Sequence, residues 1–233
     1  MEFSFDGIGS AAQSMSPAAI PTGHNNKGFF KRALMNLFII AFMFGFVELY
    51  TFCLGSGNGL IGLTISLAII SFWRTDIGIK PLQGAFVIWG SFLLTGGATF
   101  LASFHPAIGV FVNFASIYII LTLTSHQPMA KAYYPILSCY LFAQSSPVYG
   151  IDYGLRMIGI AGGGLIVAII YYMRHRKVKR RRNITDIFRE THFCSIRTKF
   201  FIRLTTGLTI AMLIGDFYHV LKPAWISFTV LSL

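Results

Sequence analysis

The sequence predicts an all-α membrane protein, a polytopic helical bundle. Three observations carry this reading. Charged residues make up only 12% of the 233-residue chain and hydrophobic residues 55%, whereas a soluble domain carries roughly 25% charge. No Asp, Glu, Lys or Arg occurs from Pro81 to Ala130, a stretch long enough for two membrane-crossing helices of about 20 residues each. The apolar runs are continuous rather than alternating, which argues against a transmembrane β-barrel.

Taken in order, residues 1–26 are rich in Ser, Ala, Gly, Pro and Asn and read as a disordered tail. They are not a signal peptide, because the first apolar run follows Lys31-Arg32 and exceeds a signal's hydrophobic length. Six spans are expected at 33–54, 57–73, 82–103, 106–124, 132–149 and 153–173, so that 27–173 forms a six-helix half. A basic linker, 174–199, follows. A seventh span covers 200–221 and an eighth starts near Pro223, so 200–233 reads as the start of a second half. Short connections such as Gly55-Ser56-Gly57-Asn58 and Ser103-Phe104-His105-Pro106 make successive helices antiparallel neighbours.

Of the 19 Lys and Arg residues, all but Arg156 and Lys222 fall on one side of this topology. Positive charge marks the cytoplasmic side. The amino terminus is therefore expected in the cytoplasm, with the chain a multi-pass protein of the cell membrane. The net charge of +11 lies between apolar spans, so it points to anionic lipid rather than to nucleic acid. The linker opens with Arg174 to Arg182 and continues through Ile184, Ile187 and Phe188, spaced for one face of a short amphipathic helix. It reads as a stop-transfer cluster with a linker, or as a docking segment for lipid or a partner.

A weak internal repeat relates Gly59–Leu67 to Ala224–Ser232, with Ile61 and Thr64 in register with Ile226 and Thr229. Each copy follows a basic residue (Arg32, Arg203), a long apolar helix and an outer acidic residue (Glu48, Asp216). Transporters are often built from such repeats, with the substrate held between them.

The segment from Arg203 to Gly215, followed by Leu221-Lys-Pro-Ala-Trp-Ile-Ser-Phe-Thr-Val-Leu231, resembles the start of the membrane module of FUSC-type proteins, the fusaric-acid-resistance and aromatic-acid-exporter families. The matching positions are Arg203, Pro223, Trp225 and Thr229. Arg156 followed by the small-residue run Gly159-Ile-Ala-Gly-Gly-Gly164 fits as well. The first half departs from the pattern, with Gly57-Asn58-Gly59-Leu60 in place of Pro-x-Trp, and the linker is short. The resemblance implies two six-helix halves, and hence a chain that continues past Leu233. It also implies export of small organic acids, aromatic ones among them, and is compatible with a homo-oligomer.

Ionisable groups inside spans cost roughly 2.5–3.5 kcal/mol at the helix centre and are functional candidates by default. Glu48 is either a proton-coupling carboxylate or an interfacial residue reaching outer water or Arg156. Arg156 either binds a substrate carboxylate, whose geometry its fork matches, or reaches the outer headgroups. Asp216 and His219, one turn apart near an outer end, form a further pair of candidates. Asn113 and Ser116 share a face of the fourth span and either line a polar path or tie helices together. Gly159-x-x-x-Gly163 is a close-packing signature.

Gly57 to Gly62 matches GxGxxG but lacks the strand that a dinucleotide site requires. Asn183-Ile-Thr185 matches a glycosylation acceptor on the cytoplasmic side, where it has no use. The three cysteines form no metal motif. No cofactor or catalytic motif appears, so the expectation is a non-enzymatic secondary transporter driven by an ion gradient. The competing expectation is a membrane scaffold whose basic loop binds lipid or a partner.

Overall fold

The computed structural model describes residues 26–124, 131–178, 182–189, 196–218 and 223–232. All regular structure among them is helical. The helices are α1 (Asn26–Leu54), α2 (Gly59–Arg74), α3 (Pro81–Ala102), α4 (Pro106–Thr124), α5 (Tyr134–Ser145), α6 (Ile151–His175), α7 (Ile184–Arg189), α8 (Ile196–Phe217) and α9 (Pro223–Ser232). A short 3-10 turn, Ser56–Asn58, lies between α1 and α2. Gly55 makes that turn possible with a φ of 89°, a backbone conformation that side-chained residues rarely adopt.

Six segments are long and apolar enough to cross a membrane: Phe30–Leu54, Ser56–Arg74, Pro81–Ala102, Ala107–Thr124, Ile151–His175 and Ile196–Gly215. The chain is thus an all-α, multi-pass membrane protein. The fifth expected span, 132–149, differs. Its helix, α5, has only 12 residues and a length of about 18 Å, short of the roughly 30 Å hydrocarbon core. A proline explains the early stop. Ser146 precedes Pro147, whose ring disfavours helical geometry in the residue before it, and Ser146 sits at φ −124°, ψ 74°. Every residue from Pro135 to Leu141 is buried, in packing against α2, α3 and α9. The helix read as a span is an interior element.

The chain divides into two compact units, Met1–Ile40 and Ala41–Leu233. In the first, the described residues form the start of α1, and Phe30, Leu34, Leu37 and Phe38 are exposed, as lipid-facing side chains would be. The second unit holds the remaining helices. Its closest packing brings α6 against α3 and α2. Gly163 and Gly164 make this approach possible, since a Cβ on each would run into Ile65 of α2 and Phe92 of α3, and one on Gly159 would run into Tyr50 of α1. The close-packing signature thus works as read, and Gly164 extends it.

At one end of the second unit the basic residues gather. Lys80 N–H donates to Arg182 O at 3.1 Å, and Ile184 N–H to Gln83 Oε1 at 3.1 Å. Tyr171 Oη donates to Asp76 Oδ1 at 2.8 Å, which fixes the loop after α2. The segment after Arg182 is therefore more than a free linker. The Asp186 side chain closes the start of α7, its Oδ2 accepting from Asn183 N–H at 2.8 Å, while Asp186 N–H donates to the backbone oxygen of Asn183 at 3.2 Å. Ile187 is fully buried, and α7 packs on α4. The side chain of Phe188, and residues 190–195, lie outside the described part.

Candidate functional site around Arg156

Arg156 lies in the second turn of α6, whose start is set by Gly150 at φ 63°. Its side chain is 2% exposed, the largest among the fully buried ones. Burial of a guanidinium is costly unless its donors are satisfied. Here Nε donates to Asn58 Oδ1 at 2.8 Å and Nη2 to Gly57 O at 3.0 Å. Nη1 donates to Ala143 O at 3.1 Å and Ser146 O at 2.5 Å. One residue therefore joins the 3-10 turn before α2, the end of α5 and α6. Asn58 is itself held, its Nδ2 donating to Leu54 O at 2.7 Å.

All four acceptors are neutral. Among the described residues no carboxylate balances the guanidinium. A guanidinium has five N–H donors, so among the described residues one on Nη2 is left over. Arg156 also lines a recess of about 460 Å³ at this end of the bundle. Thr99, Ser103 and Gln144 supply polar edges, and Phe100, Tyr149 and Tyr153 supply rings. Phe100 and Tyr153 meet at a 36° tilt with centroids 5.2 Å apart, and Tyr153 Oη is anchored by donating to Gly96 O at 2.7 Å. The arrangement offers a positive charge at the base of a pocket with aromatic walls, which suits a small anion carrying an apolar or aromatic body.

The other candidates fall elsewhere. Glu48 is exposed on α1, and Arg156 takes its hydrogen bonds without it. No hydrogen bond joins Glu48 to Arg156 among the described residues. Asn113 and Ser116 are both buried and converge on Tyr140 of α5. Tyr140 Oη donates to Asn113 Oδ1 at 2.6 Å, and Ser116 flanks the same hydroxyl. Of their two sequence readings, this geometry is the interhelical tie. The side chain of Asp216 and the whole of His219 lie outside the described residues, as does the side chain of Pro223. Arg203 and Trp225 are exposed, and exposed Thr229 bonds back to Trp225 O at 2.9 Å. Its counterpart in the repeat, Thr64, is fully buried and bonds to Ile61 O at 2.8 Å. The two copies therefore share a local hydrogen-bond habit and differ in burial.

Asn58 is the residue that sequence reasoning missed. It read as a turn former, and nothing local marks it as the partner of an arginine 98 positions away.

The Asn113–Tyr140 tie yields a testable expectation. Tyr140→Phe leaves Asn113 Oδ1 without its donor and should cost about 1–3 kcal/mol, and Asn113→Ala, which leaves the Tyr140 hydroxyl to Ser116, should cost less. The double variant should cost clearly less than the sum. Thermal unfolding of the four proteins in detergent measures this, and strict additivity would show that the hydrogen bond contributes nothing.

Comparison of the chain with protein-family models, with curated proteins and with solved structures returned no match.

Proposed function

We propose that this chain belongs to a secondary transporter that exports small organic acids, aromatic ones among them, across the cell membrane on an ion gradient. The observation that carries the reading is Arg156. Among the described residues this buried guanidinium has only neutral partners and one unused donor, and it adjoins an aromatic-walled recess. The remaining Nη2 N–H can hold one carboxylate oxygen through a charge-assisted hydrogen bond, and an ionisable residue kept inside a membrane bundle is a functional candidate by default. The resemblance to the fusaric-acid-resistance and aromatic-acid-exporter families points the same way.

The amino terminus lies in the cytoplasm in this reading. The gathering of Arg74, Lys131 and Arg174 around shared recesses, away from Arg156, supports that orientation. The Arg156 recess then opens outward.

The test is flux of radiolabelled benzoate through vesicles carrying the purified chain. Flux should exceed that of protein-free vesicles. In a folded Arg156→Lys protein KM should rise by at least about tenfold, since one charge-assisted hydrogen bond contributes about 1.5–3 kcal/mol. Flux equal to that of empty vesicles, or an unchanged KM in the variant, counts against the proposal.

A further inference from the structure

Arg74, at the end of α2, lines two recesses at once. One is a groove of about 600 Å³ lined by α2, α5 and Ser232 of α9, with Leu67, Ile70, Tyr134 and Pro135 along it and with Lys131 near Arg74. The other, of about 460 Å³, is lined by Trp73, Arg174, His175 and Val178 together with Arg74. Among the described residues no carboxylate lines either recess. Asp76, two residues from Arg74, is engaged by the Tyr171 hydroxyl and by Gly78 N–H at 3.0 Å.

We propose that this place binds one anionic phospholipid. Its phosphate sits at Arg74, within reach of Lys131 and Arg174, and one acyl chain lies in the α2–α5 groove.

Three features argue for a lipid. Leu67, Ile70 and Arg74 fall at helical spacing on a single face of α2, so the groove runs from the charged mouth back along a membrane-crossing helix. A free phosphate would fill only the mouth. Trp73 is half-exposed beside that mouth, with the Arg174 guanidinium 5.6 Å above its ring, and Trp is favoured at the membrane–water interface.

Lys131 supplies the third feature. Arg74 and Arg174 lie in the last turns of their helices, where cations offset the helix dipole without any ligand. Lys131 has no such excuse. It precedes the start of α5, where a positive charge is unfavourable, and it adopts φ 48°, the left-handed region that lysine avoids. A bound phosphate offsets the unfavourable charge at the helix start.

The site is separate from the Arg156 recess and independent of what the chain transports. It also depends mainly on residues outside the basic run after α6.

The experiment counts lipids on the purified full chain by native mass spectrometry after exchange into mixed micelles of phosphatidylglycerol and phosphatidylcholine. One phosphatidylglycerol per chain should be retained in preference to phosphatidylcholine, and millimolar inorganic phosphate should not displace it. The double variant Arg74→Gln, Lys131→Gln should weaken retention roughly thirtyfold, because each basic residue near an anionic headgroup contributes about a factor of five. The control Arg176→Gln, Lys177→Gln, at exposed positions outside both recesses, should retain lipid as the parent does. All proteins are compared at matched thermal unfolding temperature. Equal retention of phosphatidylcholine overturns the proposal, as does displacement by inorganic phosphate. An equal loss in both double variants also overturns it, since diffuse attraction would then suffice.

Discussion

Arg156→Leu is expected to remove about 3 kcal/mol or more of stability. The substitution strands Asn58 Oδ1 and the carbonyls of Gly57, Ala143 and Ser146, which now accept from one side chain. Hydrogen bonds to a charged group are worth about 1.5–3 kcal/mol each. Relief of the buried charge returns part of that sum, so the net loss falls below four full bonds. It remains large against the 5–15 kcal/mol that holds a typical domain together. Three segments would lose their common anchor: the turn before α2, the end of α5 and the start of α6. Unfolding followed by circular dichroism in mixed micelles measures the effect, and the parent can be compared in the presence and absence of benzoate. If the leucine protein is as stable as the parent, Arg156 has no structural role and its burial serves a ligand alone.

The second large effect is expected in the glycine run of α6. A Cβ at Gly164 would lie 2.6 Å from Phe92 Cβ and 2.8 Å from Phe92 Cγ. Phe92 is fully buried, and its Cβ is fixed to the backbone, so it cannot swing aside. Gly164→Ala therefore has to push α3 and α6 apart, at about 2–3 kcal/mol, within the usual range for overpacking. Gly162 is the internal control. It is exposed, and nothing lies within 4 Å of a Cβ placed there. Gly162→Ala should be neutral, or stabilising by up to about 1 kcal/mol through helix propensity. Thermal midpoints of the two variants decide the matter. Similar midpoints would mean that the α3–α6 contact is looser than drawn.

Hydropathy made the long crossing helices legible, because each is a local run and needs no partner to be recognised. It misjudged α5 for a related reason. An apolar stretch flanked by short loops looks the same whether it faces lipid or protein, since lipid tails and protein interiors are equally apolar. Only Pro147, after Ser146, hinted that the helix would stop early.

The candidate site was half legible. Arg156 stood out because a charge inside an apolar run is expensive. Its partner Asn58 did not, because a turn former between two spans needs no further explanation. Glu48 stood out for the same reason as Arg156, yet α1 leaves it exposed. Periodicity names the face of a helix and does not say what covers it. Asn113 and Ser116 could be placed on one face, but Tyr140, which accounts for them, lies on another helix.

The sequence by itself determined the class of the protein, its crossing helices, the uneven distribution of basic charge and the glycine stripe of α6. Each of these is written in neighbouring residues, through hydrophobic length, charge and side-chain size. The tertiary structure alone decided that α5 is interior, that Arg156 is held by Asn58 and three carbonyls, and that Arg74 and Lys131 share one groove. Those pairings join residues tens of positions apart. What brings them together is the packing of whole helices, where burial and hydrogen-bond satisfaction are settled across the bundle at once.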